Sequence, residues 1–566
     1  MKISRTYRSV FVFLIVISTA VLSWIGFAKL YPDGNSTGVL QERIFRVVKA
    51  LLGDPIGNAL EDKNLPWELV LAKFFAIFIL IGGVYKVVEA VFQTQLTLLR
   101  TLFKRNHKIV VGINKKGSRI LENLKNCQKE NAVAIELVND HENIKNIRNK
   151  GHLVIFGDAT DKDVLKEAGI RRAKDFICFF DDEQKSLEIV NAVNEIYDQS
   201  KPNNELDCFI HLDNPRLIES LQNSDLLKKE EKNGVNIRMF NTYEMIARNF
   251  FNRFPIHYQK EILEEKKFRL IFFGFNSTST ALILQALRIL HFPKPDLLEI
   301  VVCGENMEKK SEIFLEKYPK IEKIAPFIFR DFKGTYREIL NEFCFNQNHE
   351  IEPVVISTFD DDKQNLGFSL EVMNASATEN FKIFTLNNNA SGMNQLFRKE
   401  ENQRIKFFGN LDYVCKIELI TGETQDQLAK AIHNDYLQIQ KETVASESAA
   451  YKTSWEDLSE NAKSANRTQA DHIIYKLILT KKDLQNFKNL EFTPEEVEKL
   501  AIAEHRRWEA HRLVSGWDFG EIRDDLRKLH PSLIPWEMLP EGEKQKDRDT
   551  VLRLPKILEK VKSLEF

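Results

Sequence analysis

The chain has 566 residues, room for about three or four domains, and a formal net charge of −2, which leaves no basic surplus for binding nucleic acid. Apolar residues make up 43% of the sequence, enough for soluble cores and for two membrane-spanning helices. None of the six cysteines stands in a Cys-x-x-Cys pair, so we expect reduced thiols and no disulfides.

The first predicted element is a membrane-spanning helix over residues 10–30. This stretch is apolar or small apart from Ser and Thr until Lys29, and at about 1.5 Å per residue it covers a hydrocarbon core of about 30 Å. A cleaved signal peptide is the alternative, but a second apolar span follows to return the chain. Positive-inside bias puts both termini in the cytoplasm, because basic residues precede the first span and follow the second: Lys2, Arg5, Arg8, Arg100, Lys104, Arg105 and Lys108.

The outer loop over residues 31–66 contains one short amphipathic segment, residues 42–52, which ends at Gly53-Asp54-Pro55. Its apolar side chains form one helical stripe, which predicts a helix. This helix fits either a pore helix or an interfacial helix on the outer membrane surface. No Thr-Val-Gly-Tyr-Gly-like filter follows it, so potassium selectivity does not follow from the sequence.

The second predicted span covers residues 69–92 and carries charges near both ends. Lys73 lies near its outer end, and Lys86 and Glu89 lie near its inner end. Such groups either anchor a helix at the interface or line a wet cavity. The pair Gly82-Gly83 permits a bend or a close helix contact. We therefore single out Lys73, Gly82 and Gly83 as candidates for a pore or gating role.

A strand, a tight turn and a helix start follow at residues 108–124. The strand leads into Gly112, Asn114 stands where a dinucleotide motif has its second glycine, and Gly117 opens the helix. Glycines there let a phosphate approach the backbone and the helix N-terminus. The side chain of Asn114 narrows the space through which a phosphate could reach this backbone. Glu136, at the end of the next strand and 24 residues after Gly112 (136 − 112), is placed to bind a ribose.

Two further signals follow in register: Gly157-Asp158-Ala159 after a third strand, and Phe176–Phe180 running into Asp181-Asp182. In this order the four signals resemble the nucleotide-binding half of an RCK (TrkA-N-type) domain, the ligand-sensing module of bacterial potassium channels and transporters. The resemblance implies that NAD(H) or an adenine nucleotide binds at Gly112, Asn114, Gly117, Glu136 and Asp158. A fold retained only as a scaffold is the alternative.

A second copy of this unit begins at Phe268, with Gly274 placed 162 residues after Gly112 (274 − 112). Asn276 again holds the third motif position, but Ser279 replaces the last glycine and Arg330-Asp331-Phe332 replaces Gly157-Asp158-Ala159. We expect a degenerate cradle in which Gly274, Asn276 and Asp331 are the candidate ligand residues. Tandem pairs in the RCK family assemble into gating rings.

The C-terminal part resembles the RyR domain, which is repeated in ryanodine receptors and single in bacterial proteins. The resemblance rests on Ala503-Glu504-His505-Arg506-Arg507-Trp508, Ser515-Gly516-Trp517, Arg523-Asp524-Asp525 and residues 530–536. Its tryptophans are typical core residues, but Arg506, Trp508, Trp517 and Arg523 could also stack a base and clamp a phosphate. His505 and His511 are six residues apart, on different faces of a helix, so they are no zinc pair.

These predictions give an α/β protein with four parts: a two-helix transmembrane region (1–107), two tandem Rossmann-like RCK domains with parallel sheets (108–256 and 266–436), and a mainly α RyR-like domain (437–566). The two predicted spans imply a multi-pass protein, which we place in a bacterial inner membrane in contact with membrane lipid, and the resemblance implies a homo-oligomer, a dimer or a tetramer.

The predicted function is that of a potassium or cation channel-like protein regulated by a small nucleotide. A non-conducting, membrane-anchored sensor or a signalling or defence effector that acts through protein partners is the alternative, and the missing filter favours it. No residue stands in a motif with a partner to act on a substrate, so we expect no catalytic residue, no metal and no enzymatic activity.

Overall fold

The computed structural model describes residues 5–30, 37–51, 65–138, 141–180, 182–200, 204–222, 234–255, 267–294, 296–331, 336–345, 351–375, 382–388, 404–420, 426–442, 453–455, 458–482 and 490–560. The chain forms two compact units, Met1–Phe103 and Lys104–Phe566. The predicted helix terminator Gly53-Asp54-Pro55, Asp181 and Phe332 lie outside the described residues, as do the side chains of Lys86 and Glu89.

The first unit consists of helices α1 (Arg5–Leu30), α2 (Thr37–Leu51), α3 (Trp67–Val91) and α4 (Gln93–Leu102). Helices α1 and α3 pack closely because Gly26 has no side chain, and a Cβ at that position would overlap Leu69. Leu69, Ala72 and Ala76 of α3 are buried in this contact. The amphipathic segment predicted at 42–52 belongs to α2, which begins earlier, at Thr37.

No helix in the described part of the chain is both long enough and apolar enough to cross a membrane. The prediction that residues 10–30 and 69–92 span a membrane is therefore unsupported, although both segments are helical. Helix α3 runs without interruption through Gly82 and Gly83. A Cβ on Gly82 would meet no described atom within 4 Å, so within this chain Gly82 is not required for close helix packing.

The second unit begins with a six-stranded sheet in which every pairing is parallel. Its order is β3-β2-β1-β4-β5-β6, so the strand order reverses between β1 and β4, where an open α/β sheet forms its binding crevice. The strands are β1 (His107–Val111), β2 (Val133–Glu136), β3 (Leu153–Phe156), β4 (Ala173–Cys178), β5 (Leu206–His211) and β6 (Val235–Phe240). The helices are α5 (Lys115–Asn126), α6 (His141–Asn149), α7 (Lys162–Glu167), α8 (Glu183–Ser200), α9 (Pro215–Gln222) and α10 (Thr242–Arg253).

A second six-stranded parallel sheet has the order β12-β11-β10-β7-β8-β9, the same arrangement as the first when its strands are counted from β7. Its strands are β7 (Lys267–Phe273), β8 (Leu298–Gly304), β9 (Phe327–Asp331), β10 (Ile351–Ser357), β11 (Ile383–Leu386) and β12 (Ile405–Phe408). Its helices are α11 (Ser277–Ile289), α12 (Met307–Lys317), α13 (Tyr336–Leu340), α14 (Asp362–Ala375), α15 (Leu411–Val414) and α16 (Ile417–Ile420). Two Rossmann-like α/β domains are thus confirmed.

The C-terminal part is mainly helical, as predicted: α17 (Gln427–Glu442), α18 (Glu460–Leu479), α19 (Pro494–Val514) and α20 (Glu541–Lys560), with one short strand pair, β13 (Asp518–Phe519) and β14 (Leu529–His530). Helix α19 begins at a reciprocal capping box between Thr493 and Glu496, with Pro494 in its first turn. The segment Ala503–Trp508 thus lies within a helix whose start is fixed by its capping residues.

Candidate functional site

The turn after β1 requires glycine at two positions. Gly112 has a φ of +86°, and a Cβ there would overlap the carbonyl oxygen of Phe179 at the end of β4. A Cβ on Gly117 would overlap the carbonyl oxygen of Gly112. Both glycines therefore allow the turn, the first turn of α5 and the end of β4 to lie in contact.

Asn114 is the N-cap of α5 and joins that helix to β4. Its Oδ1 accepts hydrogen bonds from the amides of Lys116 (3.1 Å) and Gly117 (3.0 Å), and its Nδ2 donates to the carbonyl of Phe179 (3.1 Å). The amides at a helix N-terminus are the groups that usually bind phosphate. In this chain the Asn114 side chain already occupies two of them.

Glu136 closes the same turn from β2. Its carboxylate accepts hydrogen bonds from the amides of Ile113, Leu137 (3.0 Å) and Val138 (3.2 Å). Beside it lies a cleft of about 240 Å³, lined by Gly112, Ile113, Asn114, Glu136, Val138, Asn143, Ile144, Phe179 and Phe180. The cleft thus combines one carboxylate and two amide side chains with apolar walls, at the point where the strand order reverses.

Three of the five predicted site residues, Gly112, Asn114 and Glu136, line this cleft. Gly117 lies behind it and acts through packing. Asp158 is not among the residues that line it: its Oδ1 accepts hydrogen bonds from the amide (3.0 Å) and the hydroxyl (2.8 Å) of Thr160, and these bonds hold the pKa of the Asp158 carboxyl below its usual value. Asp158 stabilises the turn that leads into α7.

The sequence did not predict the apolar walls of the cleft or the place of Asn143 in its lining. Phe179 and Phe180 follow β4 directly, so the strand reversal could have indicated them. Val138 follows β2, while Asn143 and Ile144 lie on α6, and no motif marks these three residues. The end of β2 places Val138 at the cleft, and the packing of α6 against α5 and β3 places Asn143 and Ile144 there.

Lys116, in the first turn of α5, contacts a cluster of polar and aromatic side chains. The Lys116 Nζ stands 4.3 Å from the centre of the Tyr243 ring and 3.4 Å from the Nε2 of His211. His211 stacks on Phe179 with ring centres 5.3 Å apart. Burial, reinforced by the charge of Lys116, lowers the pKa of His211 to about 2, so the imidazole is neutral. Lys116 therefore links the first turn of α5 to the first turn of α10.

In the second sheet, the position that corresponds to Glu136 is surrounded by apolar side chains. The amide of Gly112 donates to the carbonyl of Ile135 (3.1 Å), and the amide of Gly274 donates to the carbonyl of Cys303 (2.9 Å). The residue after each carbonyl is therefore equivalent, so Gly304 holds the position of Glu136. A Cβ on Gly304 would lie 2.9 Å from the sulfur of Met307, and Phe275, which follows Gly274, packs on Phe314. Apolar side chains thus stand where the first cleft has its carboxylate.

The predicted residues of the second copy have other partners. Asn276 caps α11 through its Oδ1, and its Nδ2 donates to the carbonyl of Thr358 (2.7 Å) and to the carboxylate of Asp360 (2.8 Å). Asp331 pairs with Gly304 across β8 and β9, just as Phe156 pairs with Glu136. Asp331 is therefore two positions out of register with Asp158.

In the C-terminal part, three of the four candidate ligand residues, Trp508, Trp517 and Arg523, lie near His530, and burial together with the charges of Arg512 and Arg523 lowers the pKa of that imidazole to about 4. Trp508 and Trp517 surround His530, with ring centres 4.9 and 6.3 Å away. Arg523 also pairs with Asp525 (2.8 Å), whereas Arg506 donates to the carbonyl of Phe292 in the second Rossmann-like domain (3.1 Å). Arg506 thus serves domain docking.

The described residues contain no group of three or more His, Cys, Asp or Glu side chains that could hold a metal ion. All six cysteines are free thiols. Burial raises the pKa of Cys178, Cys303 and Cys415 to about 12, which keeps these thiols protonated and poorly nucleophilic.

Two domain families match the chain: the TrkA-N domain over residues 108–222 and the RyR domain over residues 481–562. A structure described as GsuK bound to ADP is 12% identical, covers 74% of this chain and 98% of that chain, and has a TM-score of 0.34. The GsuK channel bound to NAD is 11% identical, with 75% and 85% covered and a TM-score of 0.37. The TrkA-N domain of the inner membrane protein ybaL from Escherichia coli is 21% identical, with 27% and 98% covered and a TM-score of 0.20. At these values the structural likenesses establish no function for this chain.

Proposed function

We propose that this chain, which matches the TrkA-N domain over residues 108–222 and the RyR domain over residues 481–562, is a membrane-associated, nucleotide-sensing regulatory protein of the potassium-channel type. Its ligand is NAD(H) or an adenine nucleotide, bound in the cleft of the first Rossmann-like domain. The observation that carries this proposal is the placement of Glu136 and Gly112 together at the reversal of the strand order, beside an open cleft with apolar walls.

The cleft suits a nucleoside better than a whole dinucleotide. Its volume of about 240 Å³ is below the roughly 300–1,000 Å³ of drug-sized ligand sites. An adenine ring would lie against Val138 and Ile144, and the ribose hydroxyls would donate to Glu136. A phosphate can reach the amides of Lys116 and Gly117 only after Asn114 releases them. Affinity then comes mainly from the nucleoside end of the ligand.

A Glu136→Gln variant tests this role. Hydrogen bonds to a charged group contribute about 1.5–3 kcal/mol, so we expect about ten- to a hundredfold weaker binding of ADP and NAD by calorimetry of the full chain. Glu142→Gln, an exposed carboxylate on α6 that is not part of the cleft lining, is the matched control and should bind like the wild type. Equal affinity of wild type and Glu136→Gln would refute ribose recognition by Glu136.

Membrane association is proposed for the first unit because α3 exposes large apolar side chains. Phe74, Phe78 and Ile81 are each more than half exposed, and a soluble surface rarely carries so many in one patch. Lipid or further copies of the chain would cover them. We propose a homo-oligomer, a dimer or tetramer in a bacterial inner membrane with both termini in the cytoplasm, in which residues 10–30 and 69–92 form the membrane part.

Two outcomes remain for this membrane part, a pore or a non-conducting anchor. If α3 lines a pore, Lys73→Gln and Gly82→Leu should change the rate of potassium efflux from liposomes that contain the protein, because both residues lie on that helix. Under the anchor reading, neither wild type nor variants should release potassium above the rate of empty liposomes. The absence of a filter-like sequence after α2 favours the anchor.

A further inference from the structure

Three parts of the second unit meet at one buried group of charged side chains. Arg248 of α10 donates from Nε to Asp471 of α18 (2.8 Å) and from Nη2 to the other oxygen of the same carboxylate (3.0 Å). Gln285 of α11 donates to Asp471 as well (2.9 Å). The first Rossmann-like domain, the second one and the C-terminal helices thus share a single carboxylate.

A second carboxylate extends the group. Asp426, just before α17, accepts hydrogen bonds from Arg467 of α18 at 2.9 and 2.7 Å and lies 3.4 Å from Nη1 of Arg248. We call Arg248, Gln285, Asp426, Arg467 and Asp471 the junction. Asp426 and Asp471 are only 3% and 6% exposed. Buried charges cannot separate from their partners without a large loss of interaction, so the elements that carry them are held in one arrangement.

Helix α10 leads from the junction to the nucleotide cleft. Its 12 residues span about 18 Å. Tyr243 in its first turn lies under the Nζ of Lys116, and Lys116 belongs to the first turn of α5, next to Asn114 in the cleft lining. A ligand that releases the Asn114 cap, or that attracts the Lys116 ammonium, therefore acts on the contact at the start of α10.

Helix α18 leads from the junction towards the RyR domain. Five residues after Asp471, the Nζ of Lys476 donates to Glu504 of α19 (2.6 Å), and Glu504 also accepts from Nη2 of Arg507 (2.9 Å). Helix α19 lies inside the stretch matched by the RyR family. A series of contacts therefore joins the cleft to the RyR domain: the cation–π contact between Lys116 and Tyr243, the junction, and the ion pair between Lys476 and Glu504.

We infer that the junction transmits occupancy of the cleft to the RyR domain, with α10 as the rigid element that carries the change. The inference rests on the proposed nucleotide binding. A ligand that favours one position of α10 also favours one position of α18, because the bidentate bond between Arg248 and Asp471 keeps the two helices in register.

Hydrogen exchange of the full chain, measured by mass spectrometry with and without ADP or NAD, tests this inference. Arg248→Met would leave two carboxylates buried without their shared cation and could prevent folding, so the variant is Arg248→Lys, which keeps the charge and removes the bidentate bond. The matched control is Arg253→Lys, an exposed arginine on the same helix. In wild type and control, nucleotide should slow exchange in residues 112–120 and change exchange in residues 460–479 by about fivefold or more, the lower end of usual coupling.

In Arg248→Lys, nucleotide should still slow exchange in residues 112–120 and leave residues 460–479 unchanged. An equal response of residues 460–479 in wild type and Arg248→Lys would overturn the inference, as would a wild type whose cleft responds while residues 460–479 do not. If no nucleotide affects residues 112–120, the proposed function fails by itself. The ligand-free samples then test the coupling between the two segments. Arg248→Lys should speed exchange in both residues 112–120 and residues 460–479. Faster exchange in residues 460–479 alone contradicts the coupling.

Discussion

A Gly112→Asp variant is expected to lose nucleotide binding, with affinity reduced by about a hundredfold or more. Three effects act together. The φ of +86° is unfavourable for any residue with a Cβ, the Cβ would overlap the carbonyl oxygen of Phe179, and the new carboxylate would stand where the ligand phosphates approach α5. Calorimetric titration with ADP, NAD and ADP-ribose measures the loss, and circular dichroism reports whether the variant folds.

The second sheet provides a matched control for this experiment. Gly274 occupies the equivalent turn, has a φ of +98°, and would place a Cβ 2.6 Å from the carbonyl oxygen of Thr358. Gly274→Asp should therefore destabilise the chain to a similar degree and leave nucleotide affinity unchanged. If both variants lose binding equally, general damage to the fold explains the result and the first cleft has no special role.

Replacing Glu504 by glutamine should lower the free energy of unfolding by about 3–5 kcal/mol, the usual loss when one partner of a buried ion pair is removed. Glu504 accepts hydrogen bonds from Lys476 and Arg507, and all three residues are at most 4% exposed. The variant leaves two buried cations without their carboxylate. Urea denaturation followed by tryptophan fluorescence measures the change.

The pH dependence of this loss is a further check. Burial already lowers the pKa of the Lys476 ammonium, and removal of the Glu504 charge lowers it further. When the folded-state pKa lies below the unfolded value, the free energy of unfolding rises as the pH rises towards the unfolded pKa of lysine. The loss of stability in Glu504→Gln relative to the wild type should therefore shrink between pH 7 and pH 9.

Glu498→Gln on the same helix is the control for Glu504→Gln. Glu498 pairs with Arg548 at 2.6 Å, but its side chain is 41% exposed, and pairs of this kind contribute about 1 kcal/mol or less. A loss of stability in Glu498→Gln as large as that in Glu504→Gln would show that burial of the ion pair is not the cause.

The sequence carried enough information for both sheets and for part of the cleft. A glycine directly after an apolar strand, such as Gly112, marks the turn of a Rossmann-like unit, and the spacing to Glu136 follows from one helix and one strand of ordinary length. Repetition of the pattern at Gly274 predicted the second sheet. These features depend on short stretches of chain, where periodicity and turn chemistry decide the structure.

Features that depend on tertiary packing were not accessible in this way. Asn143 reaches the cleft because α6 packs against α5 and β3, and Arg506 bonds to Phe292 because α19 docks on α11 of the second Rossmann-like domain. The sequence comparison matched Asp331 with Asp158, yet the strand register places Asp331 two positions away. Asp158 itself is bonded to Thr160, two residues along the chain, and motif spacing alone does not distinguish such a turn-stabilising carboxylate from a ligand.

If the first cleft binds nucleotide as proposed, the packing of Phe275 and Met307 at the position that corresponds to Glu136 limits how steeply a single chain can respond to that ligand. Two equivalent sites in one chain could cooperate, but within the described residues only the first sheet places a carboxylate beside such a cleft, so we expect an isolated chain to respond to nucleotide with a graded, hyperbolic dose–response curve. A switch-like curve requires coupling between chains, as in symmetric oligomers. Sensitivity is then set by assembly of the protein, and a dilution that separates the subunits would broaden the response without changing the cleft.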